Sequence, residues 1–212
     1  DPHVEMEPRY GIREVYVLSP RAIHVITGAG IDTSRLKNTH AVAVSSNDDP
    51  TFRGGVHPVR IGRRSNLDFY TPRRGAWRVH RRHELFLILP KSMKQGRTYT
   101  VDLNADPDAP VTCGRSEADL LVDDETSVNL AIKVNQIGYL PAAKRKYAYV
   151  GMWMGDLNAY DFSPYATSFE VRNVKDHRVI LRGRVNPRRK ATFKLVNGER
   201  LPKGKAGPET IR

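Results

Sequence analysis

Apolar residues in the first hundred positions recur at every second residue, in short bursts closed by proline, glycine or Asn/Asp turns. Residues 13–19 put Val15 and Val17 on one face and Glu14, Tyr16 and Leu18 on the other, and Pro20 stops the run. Residues 22–27 alternate again, with Ile23 and Val25 against His24 and Ile26. Residues 41–45, 59–62 and 76–80 follow as short strands. Residues 84–90 are nearly continuously apolar and end on Pro90, which marks the central strand, and residues 98–103 alternate once more. Period-two bursts bounded by turn chemistry predict strands, and about seven of them at short spacing predict a sandwich of immunoglobulin type. A turn at 33–37 is the one helical feature expected. Within 91–100, Tyr99 sits where the corner tyrosine of such a sandwich would bond back to the chain, and an ordinary strand role is the competing reading.

A second body begins near residue 128. Strands are expected at 128–134, 146–154, 167–172, 179–185 and 191–196. In the second of these, alternation points Met152 and Met154 one way and Trp153 the other, with a core expected on at least one side. Glycines and prolines from 198 to 208 predict a loop. The organisation expected is therefore an extension over 1–9, a β-sandwich over 10–104, a linker over 105–127 and a second sandwich over 128–212.

Charge sharpens this division. Net charge is +12, but it is blocked. Between residues 53 and 97, 12 Lys/Arg face only Asp68 and Glu84. Between 102 and 125, eight Asp/Glu face Arg115 alone, and from 172 onward basic residues outnumber acids 13 to 3. Two basic bodies flanking an acidic connector can bind polyanions, or other copies of the chain with connector against basic face. Tyr70, Arg73, Arg74, Trp77, Arg81 and Arg82 form the expected polyanion or sugar face. Nucleic acid is the least expected partner, because no recognition motif accompanies the charge. No apolar run approaches the ~20 residues that span a bilayer.

Catalytic and metal chemistry find little support. Asp48/Asp49 and Asp123/Asp124 sit in turn and linker contexts. Asp119, Asp123, Asp124 and Glu125 offer oxygen ligands for calcium without the spacing or glycine of a calcium loop, and the stretch reads as a solvated linker. His40, His57, His80 and His83 make no metal set, since Arg81-Arg82 would repel a cation. A lone Cys113 excludes an internal disulfide framework and leaves a free thiol or a bond to another copy.

The segment Val134-Asn135-Gln136-Ile137-Gly138-Tyr139-Leu140-Pro141 is followed by Lys144, Lys146 and a Tyr-Ala-Tyr-Val strand. Later come Ser168-Phe-Glu-Val-Arg172 and a Val-Ile-Leu-Arg-Gly run ending at Gly183. In order, these resemble the N-terminal immunoglobulin-like domain that precedes the catalytic barrel in family 9 glycoside hydrolases, the cellulase type. The resemblance rests on Val134, Asn135, Gln136, Gly138, Tyr139 and Pro141. Asn47-Asp-Asp-Pro50, Pro58-Val-Arg-Ile-Gly62 and Leu89–Tyr99 similarly resemble an additional bacterial β-sandwich ahead of such a domain. The implied protein is secreted or at the cell surface, and without a cofactor. The family's catalytic Asp pair and distant Glu belong to a helical barrel that has no counterpart in these residues, so no catalytic residue is carried over and this chain is expected not to be an enzyme. In the family, further strands follow the 198–208 loop and close the sandwich. The second sandwich is therefore expected to lack its closing strands, either because they belong to a longer protein or because a neighbouring copy donates a strand, with residues 1–10 as the candidate donor. The function expected is an extracellular structural or assembly protein built from tandem immunoglobulin-like domains. The alternative is an accessory or carbohydrate-binding region of a family 9-like hydrolase.

Overall fold

The computed structural model describes residues 10–73, 75–186, 193–196 and 199–202, the last two segments as backbone. The chain is all-β and divides into two units, one ending at Phe162 and one beginning at Ser163.

The first unit is built on an immunoglobulin-like sandwich. Strands β1 (Ile12–Ser19), β2 (Ala22–Thr27), β3 (Ala43–Ser45), β4 (Arg60–Arg73), β5 (Ala76–Ile88), β6 (Arg97–Asp102) and β7 (Glu117–Val122) form two antiparallel sheets. Their orders are β1-β2-β5-β4 and β3-β6-β7. These are the ABED and CFG sheets of the constant-type immunoglobulin arrangement, taken in chain order. The core lies between the sheets: Ile23, Val25, Leu85 and Leu87 from one meet Val44, Tyr99, Val101, Leu120 and Val122 from the other. Three-residue 3-10 turns at Arg35–Lys37 and Thr39–Ala41 fill the β2–β3 crossover.

Tyr99 forms the corner. It is fully buried, its hydroxyl accepts the Lys94 backbone N–H at 2.7 Å, and it donates to Asp49 Oδ2 at 3.0 Å. Lys94 Nζ reaches Asp49 Oδ1 at 2.9 Å. That bond and those from Thr51 and Tyr99 outweigh burial and hold the Asp49 carboxyl well below the usual range. Asp49 is thus a structural residue, tying the 46–52 turn to the corner.

Several sequence expectations need correction, among them the separate strands expected at 76–80 and 84–90, which form the single strand β5. The linker over 105–127 contains β7, which pairs with β6 along its whole length (Arg97↔Val122 to Asp102↔Glu117). Ala118, Leu120 and Val122 face the core while Glu117 and Asp119 face solvent, so the acids are the outer face of an amphipathic strand. The strands expected at 128–134 and 146–154 shrink to β8 (Ile132–Lys133) and β9 (Tyr149–Val150). Residues 128–162 instead pack on the outer face of the four-stranded sheet. There Ala131, Met152 and Met154 bury against Leu18, Ala22 and Phe86, with Leu157, Tyr160 and Phe162 beside them. Asn129 Nδ2 donates to the Leu18 carbonyl at 3.0 Å, and Asp156 Oδ1 accepts the Arg63 N–H at 2.7 Å. The methionine alternation holds; its core is the back of the first sandwich.

In the second unit, β10 (Ser168–Arg172) and β11 (Val179–Arg184) form an antiparallel ribbon, and β12 (Phe193–Val196) pairs with β13 (Glu199–Pro202). β13 replaces the first part of the loop expected from 198, and the rest of that loop lies outside the described residues. One face of the β10–β11 ribbon carries Phe169, Val171 and Leu181, all exposed. Gly183 stands opposite Phe169, whose ring lies where a Cβ would be. On the other face Glu170 accepts from Arg172 Nε at 2.9 Å and Arg182 Nε at 2.8 Å.

Candidate functional site

The expected binding residues fall on the β4–β5 hairpin. Strand β2 ends opposite His83 (Thr27↔His83), while β4 and β5 remain paired out to Arg73↔Ala76. Past His83 the hairpin is a two-stranded arm, with no third strand beside it among the described residues. Directly opposed residues of a ladder share a face. One face carries the pairs Leu67↔Arg81, Tyr70↔Val79 and Pro72↔Trp77. A bulge at Asp68 keeps Leu67 and Tyr70 on this face although they are three apart. The same face continues inward to His83, Leu85 and Leu87, so it extends the core face into solvent. Trp77 is 70% exposed and Tyr70 53%, and Leu67 and Val79 are also exposed.

The opposite face carries Arg78, His80 and Arg82. The His80 ring stacks on Phe69 with centroids 4.4 Å apart, and its Nε2 lies 2.8 Å from Thr71 Oγ1. Arg82 lies 4.0 Å from the Glu84 carboxylate. The structure therefore brings Tyr70, Trp77 and Arg81 together and sets Arg82 behind them. Arg73 lies in β4 with its side chain undescribed, and Arg74 lies outside the described residues.

Electrostatics at the base of the arm depend on two acids. Asp68 is held by Arg13, with Nη1 at 3.2 Å and Nη2 at 2.5 Å. Glu84 is 4% exposed and accepts from His24 Nε2 at 3.1 Å, Asn66 Nδ2 at 2.8 Å and Arg64. Burial alone would raise its pKa, but the bonds from His24 and Arg64 prevail and hold it at about 2. His24 stacks on Phe86 at 4.6 Å. The cluster was not legible in advance, because residue 84 reads as the polar edge of an apolar run. His83 shows the sign of the local field: burial, then the charges of Arg63 and Arg81, push its pKa down.

The remaining candidates have structural roles or do not converge. In the Val134–Pro141 motif, Asn135 Nδ2 donates to the Gly138 carbonyl at 2.6 Å and Asn135 Oδ1 accepts from Ile137 N at 3.1 Å. Gly138 takes φ +95°, which a side chain would strain. The Tyr139 hydroxyl accepts from Asn135 N and donates to the Tyr147 carbonyl. The motif is thus a pinned turn, with Gln136 exposed, Val134 exposed and Lys146 Nζ reaching the Pro141 carbonyl at 3.2 Å. Asp119 accepts from Thr100, and Asp123 caps a turn through Glu125 N and Thr126 Oγ1. Among the described residues no group of three His, Cys, Asp or Glu is placed to hold a metal, so the calcium set of Asp119, Asp123, Asp124 and Glu125 does not assemble. Cys113 is a free, exposed thiol. His57 Nδ1 donates to the Val42 carbonyl at 2.8 Å, beside His40. No helix among the described residues is long and apolar enough to cross a membrane.

The pinned turn and the β10–β11 ribbon both lie in the part of the chain with a family match. Residues 128–198 match the cellulase N-terminal Ig-like domain. The match covers the docked segment 128–162 and the ribbon, and leaves the first sandwich outside it. No curated protein and no solved structure matches the chain. Within the Ig-like segment, Ile132, Val134, Ile137, Leu140, Phe169, Val171, Val174 and Leu181 are exposed, Ile137 at 99%.

Proposed function

We propose that this chain is a non-catalytic, extracellular β-structural region that works by protein association, using the exposed apolar face of its β10–β11 ribbon. The observation that carries this is the β10–β11 ribbon, where Phe169, Val171 and Leu181 share one exposed face. Two such ribbons from two copies can pack face to face as a small sandwich, and open ribbon edges can add strands from a neighbour. A second copy is the occupant proposed, because the same face on an identical chain is complementary in both length and apolarity.

A second reading, favoured by the family match, is an accessory region whose apolar face docks the catalytic barrel of a cellulase-type glycoside hydrolase. Light scattering across a concentration series separates the two. Mass rising with concentration in the native chain, and reverting to the monomer in Val171→Lys/Leu181→Lys, supports copy-to-copy association. A monomer at every concentration with one cooperative melt overturns it and leaves the accessory reading.

A further inference from the structure

The exposed face of the β4–β5 arm has a composition that a structural role does not require. From base to tip it runs Leu67 with Arg81, Tyr70 with Val79, then Pro72 with Trp77. Residues two apart on a strand are about 7 Å apart, so Trp77, Val79 and Arg81 span about 14 Å of a flat strip. Among the described residues no acid neutralises it: Asp68 is bound by Arg13 and Glu84 is buried among His24, Asn66 and Arg64. Among the described residues Arg81 has no carboxylate partner. Arg63 lies on the same face, opposite Leu85, and its charge and that of Arg81 add to burial in pushing the His83 pKa down.

We infer that this strip is a binding site for an acidic polysaccharide of the polyuronate class. Sugar rings offer apolar C–H faces that pack equally on aromatic and aliphatic surface. A strip mixing Trp77 and Tyr70 with Pro72, Val79 and Leu67 suits them along its whole length. Nucleic-acid bases stack on aromatic rings and guanidinium planes, and this strip offers one diagonal aromatic pair, Tyr70 with Trp77, in a surface otherwise aliphatic. The uronate carboxylates match the guanidinium of Arg81, with Arg63 further in, by charge-assisted hydrogen bonds. The site lies in the first sandwich, outside the family match, and does not depend on the association proposed for the Ig-like segment.

Affinity electrophoresis of the full chain through polygalacturonate tests this, with hydroxyethylcellulose and single-stranded DNA as comparison polymers. The native chain is expected to be retarded by polygalacturonate and passed by hydroxyethylcellulose. Trp77→Ala should weaken binding at least tenfold and Arg81→Gln severalfold. Arg53→Gln, which removes the same charge from an exposed turn off the arm, should stay within twofold. Thermal melts confirm that each variant folds, which the exposure of Trp77 makes the expected result. Equal losses in Arg53→Gln and Arg81→Gln, no loss in Trp77→Ala, or equal retention by the neutral polymer overturns the site. Retention by DNA without retention by polygalacturonate overturns it in favour of a nucleic-acid face. Leu181→Lys should bind polygalacturonate as the native chain does, so failure of the association proposal leaves this result standing.

Discussion

Two buried polar centres hold the first sandwich, and they differ in how far the sequence announces them. Tyr99 follows a proline-ended strand, a basic turn with glycine and an alternating strand, and that context points to a corner bond. Its partner Asp49, 50 residues upstream, has no such signal. Tyr99→Phe strands the Lys94 N–H and one Asp49 oxygen in the core, which costs about 1–3 kcal/mol. Denaturant melts should show a lower midpoint at unchanged slope. Glu84 makes a pH prediction. Its folded pKa of about 2 lies below the ordinary glutamate value of 4.5, so the stability it contributes is full above 4.5 and disappears as pH falls towards 2. The expected loss across that window is on the order of 2 kcal/mol. Glu84→Gln should be less stable than the native chain at pH 7, and its melting temperature should fall less steeply between pH 4.5 and 2. A slope equal to the native one would place the acid sensitivity elsewhere.

Elements were legible where polar and apolar residues alternate along a strand, and obscure where they do not. Strand β2 is read to the residue because Ile23 and Val25 face a core. Residues 63–73 and 81–83 carry polar groups on both faces, since most of that length projects past the third strand, and no apolar alternation records them. Strand β7 does alternate, at Ala118, Leu120 and Val122, but its acids read first as a linker. Residues 146–154 alternate correctly yet form little sheet, because their apolar side is taken up by the back of the first sandwich. That docking depends on two glycines at close approach. A Cβ on Gly62 would lie 2.8 Å from the Met154 carbonyl oxygen, and one on Gly155, at φ +64°, would lie 1.8 Å from that of Arg63. Gly155→Ala therefore combines a backbone strain of about 1–3 kcal/mol with a clash that relaxes only if residues 152–157 lift away. Limited proteolysis should show faster cleavage within 128–162, together with a shift in Trp153 emission. Gly54→Ala, where a Cβ meets open space, should leave both readouts unchanged.

At the scale of the whole molecule, two forces that could join copies respond to salt in opposite ways. The blocked charge pattern suggests an acidic connector against a basic body, and such contacts weaken as salt screens them over about 10 Å at 0.1 M. In the fold, however, three of the connector's eight acids, Asp102, Glu117 and Asp119, are spread along the outer face of the β6–β7 ladder, and Asp119 is already bonded to Thr100. A net charge of +12 meanwhile repels every copy from every other. An apolar contact through Phe169, Val171 and Leu181 carries no charge to screen. Added salt then lifts the repulsion and leaves the attraction intact. The expected outcome is that the mass measured by light scattering rises between 0.05 and 0.5 M sodium chloride, and that Val171→Lys/Leu181→Lys abolishes the rise. A mass that falls with salt would instead assign the association to charge pairing and remove the ribbon face from it.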